Sequence, residues 1–349
     1  MKKYTSFLFM ILIAVSTLVS CQKDEEEDQE TTEILDNSLI IAQSTVSQYV
    51  IVSPSTGIVL AKVQPNVIGL EDWVLGYMSQ KAVITSKEPG GSFVKVIYTC
   101  SRTTGDNLFQ VTSEDDFDVM QMDVSLVGPN IVFAAQEVGN ESNDQIHRIN
   151  EDGSGYQQLT FKDEGVVCPG RVATKMVFAY MPCWSPNGTK IAFNGKLREI
   201  DTNHPHDAVI IMDSNGNNKQ VLFSVPMEEA NYKDICWTHD GKFLIFLMNE
   251  GNDVKVKVLN VDNQAMTDIS SHLMVNGLHT TNLWSSPNSN KIAFNKYEPG
   301  GGDLYVIGYS VTDTDQFVIN SGYTILASHA VTGLHFGKPN WQIFPIDNN

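Results

Sequence analysis

The stretch CWSPNGTKIAFNGK at residues 183–196 recurs in altered form as CWTHDGKFLIF at 236–246 and LWSSPNSNKIAF at 283–294. Each copy joins an aromatic residue to a turn and the turn to a short apolar strand. Pro186 presets φ for the turn and Gly188 tolerates positive φ. In the strand that follows, Ile191 and Phe193 point to one sheet face and Ala192 to the other. Aligned on that strand, GPNIVFAAQ (128–136) fits the same frame, and QKAVITSK (80–87) and HFGKPNWQIFP (335–345) complete the series. With the aromatic or its equivalent as the mark, the copies fall at 75, 124, 184, 237, 284 and 336. A period near fifty residues is the mark of a repeat architecture.

A second hairpin alternates with the first. QIHRINEDGSGYQQLT (145–160) is its clearest case, with Asp152-Gly153 as the turn signal. Further copies lie at 49–63, 96–112, 208–223, 256–270 and 304–319. Two hairpins per period make four short strands, and no sustained 3.6-residue apolar period follows residue 40. These features predict an all-β chain: a six-bladed β-propeller of four-stranded antiparallel blades, which limits exposed sheet edges by radial repetition. The first hairpin copy lacks a partner at the C-terminus and the second lacks one at the N-terminus. Pairing residues 49–63 with 336–346 would complete the sixth blade from both chain ends. Residues 31–48 and 64–95 are weakly patterned and leave room for a seventh blade.

Trp184-Ser185-Pro186-Asn187-Gly188 followed by Lys190-Ile191-Ala192-Phe193 resembles the repeat of TolB-like (WD-repeat-like) β-propellers, and Ile149 to Thr160 resembles the other hairpin of that family. The likeness is strongest over 145–295. It implies a propeller spanning residues 37–349. Their place in a periodic motif makes Trp184, Trp237 and Trp284 packing residues between blades, with ligand stacking as the alternative.

The N-terminus reads as an address. Lys2 and Lys3 precede an apolar run, Phe7–Val19, that is too short to stay in a bilayer as a span. Leu18-Val19-Ser20-Cys21 resembles a bacterial lipobox, which implies a signal peptide over 1–20 and lipidation of Cys21. QKDEEEDQE (22–30) is a solvated tether, assigned to residues 21–36, and closely resembles the export signal of Bacteroidetes surface lipoproteins. The expected location is the outer membrane, exposed at the cell surface or otherwise facing the periplasm.

The chain carries 41 acidic and 23 basic residues, a net charge of −18 that becomes −20 once Lys2 and Lys3 leave with the signal peptide. Nucleic-acid binding needs basic surface to displace counterions and is disfavoured. Cys100, Cys168, Cys183 and Cys236 form no C-x-x-C pair, which argues against a zinc knuckle and suggests buried thiols.

LREIDTNHPHDAVII (197–211) is the most polar concentrated stretch and reads as a connection between hairpins. His204 and His206, two apart, share one face of an extended segment and are candidate ligands of a divalent metal, with Asp207 placed to orient an imidazole. CPGRVATKMVFAYMPCW (168–184) offers Arg171 and Tyr180 as ligand contacts, or is simply the innermost strand of its blade. No G-x-S-x-G elbow or phosphate-binding glycine motif appears. The expectation is a non-catalytic module, anchored to the membrane, that binds a protein partner, a glycan or a small molecule. The alternative is a metal-dependent polysaccharide lyase or hydrolase in the propeller funnel, with His204 or His206 as metal ligands.

Overall fold

The structure is a computed structural model. It describes residues 38–45, 48–56, 58–76, 81–87, 94–139, 143–166, 173–227, 230–251, 253–274, 280–296, 302–320, 322–328 and 339–343. Apart from one 3₁₀ turn at Ser270–His272, the regular structure among these residues is all strand.

Sheet one holds β1 (Ser38–Thr45), β2 (Gln48–Val52) and β3 (Val59–Val63). Sheet two holds β4 (Ile68–Leu75), β5 (Lys81–Lys87), β6 (Lys95–Ser101) and β7 (Phe109–Gln110). Sheet three holds β8 (Phe117–Val124), β9 (Asn130–Glu137), β10 (Gln145–Asn150) and β11 (Gln157–Gln158). Sheet four holds β12 (Gly165–Val166), β13 (Thr174–Trp184), β14 (Lys190–Glu199), β15 (Pro205–Asp213) and β16 (Gln220–Pro226). Sheet five holds β17 (Ala230–Trp237), β18 (Phe243–Glu250), β19 (Asp253–Asn260) and β20 (Met266–Asp268). Sheet six holds β21 (Thr280–Ser285), β22 (Lys291–Lys296), β23 (Leu304–Val311), β24 (Phe317–Ile319) and β25 (Thr324–Ala327). The last strand, β26 (Pro339–Ile343), joins sheet one, in the order β26-β1-β2-β3. All pairings are antiparallel, so five sheets are contiguous in sequence and one is assembled from both ends of the described chain.

The composite sheet differs from the expected one. Ile40 stands opposite Trp341 and Ile41 opposite Asn340, so three N-terminal strands meet one C-terminal strand rather than two meeting two. The extra strand is β1, SLIIAQST, which lies within the weakly patterned residues 31–48. Its core positions Ile40 and Ala42 do alternate, but Leu39 and Ile41 blur the pattern.

Alternation explains how the sheets stack. Ile191, Phe193 and Ile210 of sheet four pack on Val132, Ala134 and Ile146 of sheet three. Ala192, Val209 and Ile211 face the other way, onto Ile235, Leu244 and Phe246 of sheet five. Equivalent cores join sheets one and two through Tyr49 and Ile84, two and three through Val83 and Phe133, and five and six through Ile245 and Phe294. A further core, with Ala293 and Val306 against Ile40 and Val52, joins sheet six to sheet one. Burying each large apolar side chain in these layers contributes about 1.5–3 kcal/mol. The innermost strands touch in the same cyclic order: β4 with β8, β8 with β13, β13 with β17, β17 with β21, β21 with β26, and β26 with β4. This radial stacking is a β-propeller.

The turns show why the repeat is spelled as it is. Ser185 Oγ donates to Asn187 Oδ1 (2.8 Å) and accepts the N–H of Lys190 (2.9 Å). Thr238 Oγ1 does the same with Asp240 Oδ1 (2.6 Å) and the N–H of Phe243 (3.1 Å). Ser286 Oγ donates to Asn288 Oδ1 at 3.0 Å. A short hydroxyl followed two residues later by an Asx oxygen closes each turn locally. Gly188 sits at φ +67°, and a Cβ there would stand 2.1 Å from Val127 Cγ2. Gly188→Ala is therefore expected to destabilise the domain by about 1–2 kcal/mol, mainly from left-handed backbone strain. Denaturant midpoints of the two proteins would check this; equal midpoints would show that the turn relaxes freely.

One repeat tryptophan is out of frame. Trp184 stands opposite Ile191 and Trp237 opposite Leu244, but Trp284 stands opposite Ala293, the counterpart of Ala192. Trp284 thus occupies the place of Cys183, Cys236 and Asp123, and Ser285 the place of the other tryptophans. Trp184 and Trp237 are buried in inter-sheet cores, the packing role expected of them.

Candidate functional site

The innermost strands present two ends. At the first, each of the inner strands of sheets three to six reaches its turn. Asp123, Trp184, Trp237, His239, Trp284 and Ser285 help to line one cavity of about 30 Å³ there, room for one or two waters. The strands are stitched together at this level. The Trp184 N–H donates to Asp123 Oδ2 (2.7 Å), and the Trp237 indole donates to the Cys183 carbonyl (3.3 Å). Asp123 and Cys183 hold equivalent positions in their strands, so a carboxylate supplies one inter-sheet link where a backbone carbonyl supplies the next. Cys183 and Cys236 also line this cavity, and both are buried. Burial pushes the Cys183 thiol up, with the nearby Asp123 adding to the effect, which favours the unreactive protonated form. His239 is half-buried at the rim with Nδ1 3.4 Å from Tyr309 Oη.

The second end carries most of the residues singled out from sequence. The polar stretch 197–211 is not one long connection. β14 runs on to Glu199 and β15 starts at Pro205, leaving Ile200–His204 as the link. His206 and Asp207, consecutive in a strand, then point to opposite faces. His206 is buried with Nε2 3.1 Å from Glu199 Oε1, and its ring meets that of His204 edge-on at 5.0 Å. Asp207 is fully buried on the other face and accepts a hydrogen bond from Tyr180 Oη (3.3 Å). The carboxylate that orients an imidazole is therefore Glu199, not Asp207. Glu199 also accepts from Thr202 Oγ1, and that bond, ahead of the bond from His206, holds its carboxyl below the usual range.

Tyr180 and Asp207 are brought together, as members of one buried polar cluster. Burial raises the Asp207 carboxyl, with the Lys196 ammonium and the Tyr180 bond opposing. Burial likewise pushes the Tyr180 phenol up, with Asp207 adding to it. Residues 174–184 are the inner strand β13, as one of the two readings had it. Arg171, Cys168 and Cys21 lie outside the described residues. Among the described residues no three His, Cys, Asp or Glu side chains gather as a metal site. What sequence reasoning missed is a set of backbone bulges. The inner strands β4, β8, β13, β17 and β21 each slip register two to five residues before their turn, at Leu70/Asp72, Val119/Gln121, Tyr180/Cys183, Lys233/Ile235 and Thr280/Asn282. Met181 and Asp234, both at positive φ without being glycine, mark two of them.

No family model matches the sequence, and no curated protein matches it. Solved structures do match in shape. A protein assigned as TolB from Agrobacterium tumefaciens aligns with a TM-score of 0.52 at 14% identity, over 88% of this chain and 99% of that one. The chain has a TolB-like propeller fold. TolB from Acinetobacter baumannii gives a TM-score of 0.50 at 15% identity over 87% of this chain, which spans only 66% of that protein. A protein assigned as a 6-phosphogluconolactonase from Bacteroides fragilis gives 0.50 at 12% identity, over 88% and 99%. At identities this low the likeness in shape shows the fold alone, and that a TolB and a lactonase assignment both sit on it illustrates that fold does not fix function.

Proposed function

We propose that this chain is a lipid-anchored envelope protein whose six sheets are the blades of a closed ring, and that the ring is a non-catalytic module for binding a protein partner. The signal peptide is residues 1–20, Cys21 carries the lipid, residues 21–36 are the tether, and the acidic run after Cys21 directs the domain to the cell surface. The observation that carries the binding reading is the turn end of the inner strands. There the partly exposed Trp284, Pro186, Pro287 and Leu126 border a small cavity floored by the buried Trp184 and Trp237. A rim of aromatic and apolar groups with a few polar atoms is the composition of a protein-binding centre.

Two measurements test the reading separately. Replacing Cys21 by Ser is expected to abolish incorporation of radiolabelled fatty acid and to move the protein from the membrane to the soluble fraction. Unchanged labelling would contradict the anchor. Leu126→Arg, at the partly exposed rim, is expected to abolish capture of the partner from solubilised envelope while leaving the melting temperature within a few degrees. The same partner captured equally by both proteins would contradict binding at this end.

A further inference from the structure

A second cavity, of about 110 Å³, lies at the opposite end of sheet four, lined by Val177, Phe178, Leu197, Pro205 and Met227 together with Lys196 and Arg198. We propose that it binds an aliphatic monocarboxylate, independently of the protein-binding reading above.

The register builds the site. Phe178, Lys196 and Asp207 stand side by side on adjacent strands, and Arg198 stands opposite Pro205 two residues along. Lys196 and Arg198 therefore share one sheet face, and the Met227 N–H bonded to the Pro205 carbonyl (3.2 Å) closes the far side. Lys196 Nζ stands 5.7 Å over the Phe178 ring, which holds the ammonium above the apolar floor. Glu199, the next residue along, faces away onto His206.

The charge balance specifies the ligand. In a chain with 41 acidic and 23 basic residues, cations are readily paired. Lys175, Lys190, Lys219, Lys242, Lys255 and Lys257 all make ion pairs. Among the described residues Lys196 and Arg198 make none, and Arg198 Nη1 donates to the neutral Asn203 Oδ1 (3.3 Å). Lys196 lies within electrostatic reach of two carboxylates, Asp207 and Asp144, so the cation left for a ligand of single negative charge is Arg198. An apolar cavity of about 150 Å³ takes benzene. One of 110 Å³ suits a branched aliphatic group of four or five carbons, with its carboxylate reaching the guanidinium at the open side. A free carboxylic acid and the C-terminal residue of a peptide ending in Leu or Ile present the same chemistry.

The test is titration calorimetry of the purified protein with 4-methylpentanoate, the matching amine, the matching alcohol, and a tripeptide ending in Leu with a free or amidated terminus. The carboxylate is expected to bind at least tenfold more tightly than the amine or the alcohol. The free tripeptide binding as well as the small acid, with the amide failing, would identify a chain end as the source; the small acid alone binding would identify a free metabolite. Arg198→Gln is expected to weaken carboxylate binding at least fivefold. Lys196 offsets Asp207 and Asp144, so the exposed Arg198 is the position whose replacement leaves the fold intact and the result interpretable. Equal binding of acid and amine, unchanged affinity in Arg198→Gln, or no saturable binding of any carboxylate would overturn the proposal.

Discussion

Removing residues 339–349 is expected to abolish the cooperative unfolding transition of the whole domain, not merely to fray one end. The deletion takes away β26, which pairs with β1 and also touches β21, β22 and β4. It would strip the inner strand from sheet one and leave Ile40 and Ala42, both fully buried, beside an open edge. If the ring is held by that strand, the loss approaches the entire stability of a domain, roughly 5–15 kcal/mol. If β26 were a dispensable edge, the cost would be that of one short strand. Denaturant unfolding followed by tryptophan fluorescence, together with binding of an apolar dye, distinguishes the two. A sharp transition with a midpoint near that of the full chain would contradict the closure.

The second large effect is a loss of stability in acid, traced to His147. Its ring is fully buried among the rings of Phe117, Phe133 and Tyr156, with Nδ1 3.1 Å from Tyr156 Oη. Burial holds its pKa down to about 4, with a smaller opposing effect from the backbone of Ala135. The ring is neutral in the folded chain at pH 6.5, where an unfolded histidine is half charged. The sign follows directly: the folded state is favoured in full above pH 6.5 and loses ground as the pH falls from 6.5 towards 4. Over that window the unfolded chain takes up a proton that the folded chain refuses. The loss amounts to about 3 kcal/mol at pH 4. Asp207 and Asp144, both raised by burial, act in the opposite direction, since their folded forms gain relative stability as pH falls. The measurement is therefore a difference. His147→Phe should reduce the pH 7 to pH 4 stability loss by about 3 kcal/mol relative to the natural chain. An unchanged difference would mean that the ring is solvated.

Much of the fold was legible because each repeat states its own structure. The Ser185-Pro186-Asn187-Gly188 turn and the Ile191, Ala192, Phe193 alternation are local, and the hydrogen bonds of that turn are made within five residues. What escaped was set by pairing at a distance. Trp284 looks like the counterpart of Trp184, yet its strand reaches Ala293 one register step away, which only cross-strand pairing reveals. By pattern alone each chain end offers two strands, because β1 carries consecutive apolar residues, not a clean alternation. At the candidate site, Tyr180 and Asp207 stand out in the sequence, and the structure joins them by a hydrogen bond. Treating 197–211 as a connection hid the strand rule that sends His206 and Asp207 to opposite faces. Glu199 was the missing partner: seven residues from His206 in sequence, it is brought within 3.1 Å by the β14–β15 hairpin. Lys196 and Arg198 stood within and beside the same stretch, and their alternation on β14 was the signal that could have found the cavity.

The claim on which the rest depends is that the two ends of the chain pair in one sheet, and a cross-link tests it most directly. Ile41 and Asn340 are direct partners across β1 and β26. Cross-strand Cα separations of about 4.5–5.5 Å lie within the range a disulfide spans. In a chain with Cys21 replaced by Ser, Ile41→Cys with Asn340→Cys should oxidise to an intramolecular disulfide, seen as joined N- and C-terminal peptides by mass spectrometry. The off-register pair Gln43→Cys with Asn340→Cys should not. No joined peptide for the first pair, equal linkage for both pairs, or linkage only between molecules would contradict the closed ring.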